Sequence, residues 1–390
     1  MIRKKRNGAS PGLNGLSYIP FKASHSVLLK FHEILSALWE KQIIPAEWAQ
    51  SFIVPLAKSS KDEDLRNPAE FRPIALTNMD GKLFFSVISR RLEQYMIKNT
   101  YIDTSIQKGF LSEVAGCIEH TFGLMQALQD ASRERQIVCV FLDLANAYGS
   151  VKHNLIQFAL EWYHVPLFIR QLIVRYYDLL MAKVVTRDWE TKFFAYSIGL
   201  FQGCCLSTIL FDAVFNLLLD LVSRQHADAA YQFKNIKLHT LLKAYADDLT
   251  TITKSPKKAQ EVLDTTHKFL EWTITMKAKP KKCRHLAGKI IPVSQRELIK
   301  TYGDSTYAFF DANLTINNHK ITSVLEGEEP FKFLGRYLPH DGTLKDTEQH
   351  ERIRKLTKEY LSAIDSAPVN GLMKTWLHQF VLLPKLSWPF

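Results

Sequence analysis

Cysteine is scarce in this chain, five among 390 residues. The five stand at 117, 139, 204, 205 and 283, without a CxxC pair or an even framework, which argues against a zinc site and against a secreted disulfide scaffold. A reducing, intracellular compartment is expected, nucleus or cytoplasm. No run of 18 apolar residues is read in the sequence, and the basic start MIRKKRNGASPG has no apolar segment behind it, so neither membrane spanning nor secretion is expected. Repeats of fixed period and low-complexity stretches are also missing. Hydrophobic residues at 46% and charged residues at 23% leave no disorder-like composition, so most of the chain should fold. Acid is the charge in short supply: 39 Asp and Glu against 50 Lys and Arg leave +11, which favours a polyanionic partner such as nucleic acid or an anionic membrane face without choosing between them.

Periodicity supplies the outline. Residues 26–48 carry Val27, Leu28, Phe31, Ile34, Leu35 and Leu38 at helical spacing, with Pro45 as the stop. FIVPL and RPIAL, between 52 and 76, read as two strands separated by the exposed loop SSKDEDLRNP. Helical spacing returns over 81–98 and 116–131. IVCVFLDL at 137–144 is a short, nearly continuous apolar run, the mark of a buried strand, with Asp143 at its end. Ser150 is expected to cap a helix running through Tyr163, and Pro166 to open another reaching about Met181. A helix over 206–222 follows the Gln-Gly turn at 202 and 203. LLKAYADDLTTIT then reads as strand, acidic turn, strand, followed by a helix from Lys257 to about Trp272 and a basic loop, KAKPKKC. Interleaved strands and helices of this kind predict an α+β fold.

The informative feature is YADD at 245–248. Adjacent acids among apolar neighbours repel one another and lose hydration, which favours a cation in their company. Two carboxylates at a hairpin tip, with Asp143 at the end of another apolar strand, suit a hard oxygen-seeking ion, magnesium best. Two such ions support in-line phosphoryl transfer. A lone DD pair is more often a solvated turn, so the rest of the pattern has to decide.

It does so through a resemblance. FLDLANAYGSV at 141–151 resembles reverse transcriptase motif A, FQGCCLSTILF at 201–211 motif B, AYADDL motif C, KPKKC at 279–283 motif D and FKFLG at 331–335 motif E, all in the family's order. SPGLNG at 10–15 and FRPIALTN at 71–78, followed by Lys82 and Arg91, are similar to the N-terminal blocks of non-LTR (LINE-type) retrotransposon polymerases. Departures occur at Gly149, Ser150, Thr208 and Asn14, none of them a metal ligand in the family pattern.

The resemblance implies a right-hand polymerase fold: an N-terminal extension over 1–50, fingers over 51–135, a palm with antiparallel sheet and finger insertions over 136–340, and a partial thumb over 341–390. It implies an RNA-directed DNA polymerase that extends a DNA primer on an RNA template with dNTPs, using two Mg2+ ions for which Mn2+ could substitute. Asp143 and Asp247 would bridge the metals, Asp248 support them and the Leu144 carbonyl complete one shell. Tyr148 would lie beneath the sugar of the incoming nucleotide and exclude a 2′-hydroxyl. Gln202 and Gly203 would approach the templating base and nucleotide, glycine for lack of a Cβ. Arg72, with Lys58, would clamp the triphosphate. Lys282, or its neighbour Lys281, would protonate pyrophosphate. Phe333, Leu334 and Gly335 would form the primer grip. Each cation and turn has an ordinary alternative, a solvated charge or a plain hairpin.

Past Lys345, TEQHERIRKLTKEYLSAID and WLHQFVLLPKLSWPF resemble the opening of a thumb. No endonuclease-like region, zinc knuckle or RNase H pattern is read in the chain, and a fragment or decayed copy of a larger element is the expectation. Two other readings compete: a non-catalytic nucleic-acid-binding protein on a retired polymerase fold, and a group II intron maturase. Retention of all three acids and the tyrosine argues against the first; motif B and the missing C-terminal DNA-binding pattern argue against the second.

Overall fold

The computed structural model describes residues 2, 6–58, 67–114, 116–290, 307–326, 331–338 and 347–387. Most of the SSKDEDLRNP loop, and Lys345, lie outside the described residues. In chain order the elements are α1 (Ile19–Ala23), α2 (His25–Lys41), β1 (Gln50–Ala57), β2 (Phe71–Thr77), α3 (Met79–Lys98), α4 (Cys117–Glu134), β3 (Ile137–Leu142), α5 (His153–Trp162), α6 (Leu167–Asp178), β4 (Met181–Val184), β5 (Phe194–Ala195), α7 (Cys205–Gln225), β6 (Tyr231–Gln232), β7 (His239–Thr240), β8 (Leu242–Tyr245), β9 (Asp248–Thr253), α8 (Pro256–Thr273), β10 (Arg284–Ile290), β11 (Tyr307–Phe310), β12 (Thr315–Ile316), β13 (His319–Lys320), β14 (Thr322–Ser323), β15 (Phe331–Phe333), β16 (Arg336–Leu338) and α9 (Thr347–Ser366). Two short helical segments, Gly371–Leu377 and Leu383–Ser387, follow.

These elements form two units that interleave along the chain. The first comprises Met1–Leu111, Ala145–Leu219 and Phe269–Lys277; the second comprises Ser112–Leu144, Asp220–Lys268 and Ala278–Phe390.

In the first unit, β2, β1, β4 and β5 lie side by side in that order. β1 and β2 are antiparallel, from Ser51 opposite Thr77 to Ala57 opposite Phe71, while β4 joins β1 in parallel. Side chains alternate across a strand, so Ser51, Ile53, Ala75 and Thr77 share the buried face and Phe52, Val54, Leu56 and Arg72 the other. α3 buries Leu83, Phe84, Phe85, Ile88, Leu92 and Met96, and the Phe85 ring lies 4.1 Å from that of Tyr176 on α6. Its N-terminal neighbour Asn78 makes no side-chain cap; its Oδ1 instead accepts the Asn14 N–H at 3.1 Å, and its Nδ2 donates to the Glu47 carbonyl at 2.7 Å. The SPGLNG block is thereby tied to the start of α3.

In the second unit a sheet runs β11, β10, β3, β9, β8, with β14 beside β10. Every residue of β3 is buried, as an apolar run flanked by strands on both edges requires. Ile137, Cys139 and Phe141, alternate residues of β3, join Leu124, Met125 and Leu128 of α4, Ile252, Leu286, Phe333 and Leu338 in one core. Burying each of these large side chains contributes roughly 1.5–3 kcal/mol.

Several sequence expectations shift on the structure. Ser150 caps no helix; its hydroxyl donates to the Ala147 carbonyl at 2.9 Å inside a 3-10 turn, and α5 begins only at His153. Pro166 directly precedes α6, which ends at Asp178, because Met181 pairs with Gln50 and starts β4. α2 stops at Lys41, where Gln42 turns left-handed (φ 54°), ahead of Pro45. α7 is long and apolar enough to cross a membrane by length and composition, which the sequence reading did not register; 78% of that stretch is buried inside the protein, the state of a core helix.

Candidate active site

The acidic site belongs to the second unit and follows from strand register. β3 pairs with β9 antiparallel, from Val138 opposite Thr253 to Leu142 opposite Leu249. One further step along that ladder sets Asp143 opposite Asp248. β10 flanks β3 on its other edge, with Arg284 opposite Phe141, and just before β10 the chain turns through 280–282, where the Lys282 N–H donates to the Lys279 carbonyl at 2.8 Å. β8 and β9 close as a hairpin whose last pair is Tyr245 and Asp248, leaving Ala246 and Asp247 as the two turn residues. Ala246 adopts φ 54°, a left-handed conformation that two-residue hairpins demand and that alanine adopts at a cost. Behind the hairpin, Nε2 of the buried His120 on α4 lies 3.0 Å from the Ala244 carbonyl, and the Cys117 thiol is hydrogen-bonded with the Tyr245 side chain.

The backbone of Asp143 is held as well. Its carbonyl accepts the Lys279 N–H at 2.8 Å and its N–H points at Cys283 Sγ, 3.5 Å away. Leu144 forms an isolated bridge with Ala278, flanked by the bonds of Asp143 and Ala145 to Lys279 and Lys277. In that pattern the carbonyl of Leu144 points away from the basic loop and stays out of the bridge.

A cavity of about 290 Å³ is lined by Asp143, Asp248, Lys282, Arg284, Lys332 and the β15–β16 hairpin residues Phe331, Phe333 and Leu334, with further residues of β3 and β9. Phe331 and Phe333 reach it by packing on Phe141, with ring centroids 4.8 and 5.3 Å apart. The hairpin turns through Leu334 (φ 44°) and Gly335 (φ 90°). Lys282 and Lys281 were near equals in the sequence; Lys282 lines the cavity, while the Lys281 carbonyl accepts from Arg284 at 2.7 Å.

Charge accumulates here. Burial raises the pKa of Asp247, an effect partly offset by a backbone hydrogen bond and reinforced by the charge of Asp143. Asp248 opens β9 as its one exposed residue; partial desolvation and then the charges of Asp247 and Asp143 push it up to about 6. Among the described residues no set of three or more His, Cys, Asp and Glu is gathered as a ready metal cage.

The other sequence-chosen residues belong to the first unit. Arg72 stands opposite Leu56, and Lys58 lies two residues beyond Leu56, so the pleat turns both cations to one face of the β1–β2 hairpin. The Lys58 ammonium also donates to the Ala69 carbonyl. Gln202 bridges Ile74 of β2, and its carbonyl accepts the Ala75 N–H at 2.7 Å. Gly203 has φ 119°, and a Cβ there would sit 2.5 Å from the Ala75 carbonyl oxygen, so only glycine fits. Tyr148 stacks on the buried Phe211 of α7, centroids 4.7 Å apart and planes 8° from parallel, with Phe110 edge-on at 6.2 Å.

Residues 58–338 match the family model described as reverse transcriptase (RNA-dependent DNA polymerase). The chain belongs to the reverse transcriptase family. With membership comes the right-hand polymerase fold, and the α+β architecture agrees with it. Among curated relatives, the Transposon TX1 uncharacterized 149 kDa protein of Xenopus laevis is 26% identical over 267 residues, 67% of this chain and 19% of that protein. The Pol polyprotein from the type-2 retrotransposable element R2DM of Drosophila melanogaster is 25% identical, covering 68% of this chain and 25% of that protein. The resemblance to non-LTR retrotransposon polymerases read from the motifs thus holds, and the chain spans about a fifth to a quarter of the length of these two relatives. Among solved structures, apo telomerase from Candida tropicalis, truncated from its C-terminal domain, is similar at a TM-score of 0.46 and 12% identity, over 68% of this chain and 56% of that one.

In this reverse transcriptase domain, sequence reasoning passed over Arg284, Lys332 and Cys283. Cys283 and Lys332 stand inside motifs that were read and Arg284 directly after one, but lining a cavity or facing Asp143 is a property of the folded chain rather than of the motif. His120 had no local signal at all.

Proposed function

We propose that the chain is the polymerase core of a non-LTR retrotransposon reverse transcriptase, extending a DNA primer on an RNA template with dNTPs. The observation that carries this reading is the cavity shared by Asp143, Asp248, Lys282 and the β15–β16 hairpin. Two acids whose affinity for protons is raised by partial desolvation and by their neighbours' charge suit a hard divalent cation, which would relieve both. Asp143, Asp247 and the Leu144 carbonyl, supported by Asp248, would hold two Mg2+ ions, or Mn2+ in their place. Magnesium sites of this class draw further ligands from substrate phosphates, so the protein need not supply a whole cage. When bound, the ions would lower the barrier to attack by the primer 3′-hydroxyl and to departure of pyrophosphate.

The chain's own groups do the rest. Lys282 Nζ would give a proton to the departing pyrophosphate. Tyr148, held flat against Phe211, would exclude a ribose 2′-hydroxyl, and the Gln202-Gly203 turn would offer backbone to the templating base and nucleotide. Arg72 and Lys58 would meet the triphosphate, and Phe333 to Gly335 the primer. Fingers over 51–135, palm over 136–340 and the start of a thumb over 341–390 belong to the same reading, as does work in the nucleus or cytoplasm.

Primer extension on an RNA template with Mg2+ and dNTPs, beside the double variant Asp247→Asn, Asp248→Asn, tests it. Extension by the parent that vanishes in a variant still able to bind template is the expected result. Equal extension by both, or template binding without any extension, overturns the assignment.

A further inference from the structure

The hairpin that carries two of the acids lies at the rim of its sheet: among the described strands β8 is the last, with β9 on one side. The Ile252 N–H donates to the Leu241 carbonyl at 2.7 Å, and bonded and unbonded pairs alternate along an antiparallel ladder. Leu241, Lys243 and Tyr245 therefore bond to β9, while the N–H and carbonyl of Ala244 point outward, away from it. An outward carbonyl on a sheet rim ordinarily meets water, yet Ala244 is wholly buried. Its carbonyl meets the buried His120, whose Nε2 lies 3.0 Å away. A carbonyl oxygen only accepts, so Nε2 is a protonated nitrogen. The start of α4 follows β8 in step: Cys117 bonds with the Tyr245 side chain, His120 meets Ala244, and a Cβ on Gly123 would lie 2.8 Å from Lys243 Nζ. Residues three apart share a helix face, so one face of α4 closes the outer side of β8. Two residues beyond Ala244 stands Ala246 at φ 54°, and strained backbone of this kind persists where its surroundings over-determine it. β9 fixes the hairpin from one side, and α4, through His120, from the other.

We propose that His120 is a positioning residue for the acidic hairpin: its Nε2–H, fastened to the Ala244 carbonyl, fixes where Asp247 and Asp248 stand relative to Asp143. His120 bonds the backbone three residues before Asp247 and acts on the acids through it. Without the donor a buried carbonyl is left unsatisfied, the outer side of β8 opens to water, and the tip relaxes from the geometry the acids need. The consequence for Mg2+ affinity and extension rate rests on the polymerase role proposed for this site; the clamp on β8 does not.

The test compares full-chain variants. His120→Gln carries an amide N–H to the place of Nε2, whereas His120→Asn is too short to reach the carbonyl and His120→Leu has no donor. Hydrogen exchange over residues 242–250, read by mass without nucleic acid, should quicken about tenfold in His120→Asn and His120→Leu while β3 and β10 hold, and stay near the parent in His120→Gln. Primer extension at saturating template and dNTPs should need about tenfold more Mg2+ for half its maximal rate in the same two variants, and run about tenfold more slowly at saturating Mg2+. Template affinity should not change, and His120→Gln should again resemble the parent. A merely structural role would quicken exchange in β3 and β10 as well and leave the Mg2+ requirement of the active fraction where it was. Unchanged exchange over 242–250 in a folded His120→Asn or His120→Leu, or His120→Gln behaving as His120→Leu does, overturns the clamp. Faster exchange with an unaltered Mg2+ requirement and rate overturns the positioning role. Absence of extension by the parent counts against the polymerase reading, and the exchange comparison still decides the clamp.

Discussion

Two hairpins of the second unit reverse direction in two residues each, with opposite chemistry at their tips. β8–β9 turns through Ala246 and Asp247, β15–β16 through Leu334 and Gly335. A tight hairpin favours positive φ at its centre. The second meets this demand partly with glycine, at φ 90°; the first imposes φ 54° on an alanine, with two carboxylates following it. The β15–β16 tip is shaped for closure. The β8–β9 tip combines left-handed alanine with two adjacent carboxylates whose pKa values are raised, a costly combination of the kind that clusters at functional sites.

Removing the acids should break the comparison most strongly. Asp247→Asn with Asp248→Asn is expected to lower primer extension by about a thousandfold or more, in the range seen when transition-state charge stabilisation is lost, measured as single-turnover rate at saturating template. Next comes the floor beneath the other hairpin: Phe141→Ala, which withdraws the ring that Phe331 and Phe333 pack on, should cost about 3–5 kcal/mol in denaturant unfolding. An unchanged unfolding midpoint would mean the aromatic packing is not holding β15–β16. Gly335→Ala should cost about 1–2 kcal/mol, because a Cβ is forced into left-handed geometry.

Charge at the acidic tip predicts a pH trend. Asp248 has a folded-state pKa of about 6, above its ordinary value of 3.8. A raised acid favours the protonated fold, so that contribution is fully present below about pH 4 and is lost as pH rises through about 6. Without divalent ions the melting temperature should therefore be higher near pH 5 than near pH 7.5, and Mg2+ should recover part of the difference in the parent but not in Asp248→Asn. The smallest effect is expected from Ala246→Gly. Relief of left-handed alanine and the added backbone freedom of glycine oppose one another, leaving a change within about 1 kcal/mol.

Much of this was legible along the chain. β3 was readable because a strand buried on both faces is apolar at every position, and α3, α4, α7 and α8 because their apolar residues recur at helical spacing. Ser150 misled because its polar side chain, well suited to a helix start, closes a 3-10 turn three residues too early. The helix expected to reach about Met181 stops short of it, and β4, which begins there, has no signal in the sequence: four residues give little periodicity, and its parallel partner β1 lies more than a hundred residues upstream.

By itself the sequence determined the order of motifs, the identity of the three acids and the all-apolar run that delivers Asp143, because each is a property of neighbouring residues. Only the tertiary structure decided that Asp143 lies across from Asp248, that Lys282 rather than Lys281 lines their cavity, and that Arg284 and Lys332 line it too. The place of Asp248 depends on the register of β3 with β9 and that of Arg284 on the register of β3 with β10, where a one-residue slip would turn every side chain to the opposite face; Lys282 and Lys332 depend on the turn before β10 and on the β15–β16 hairpin.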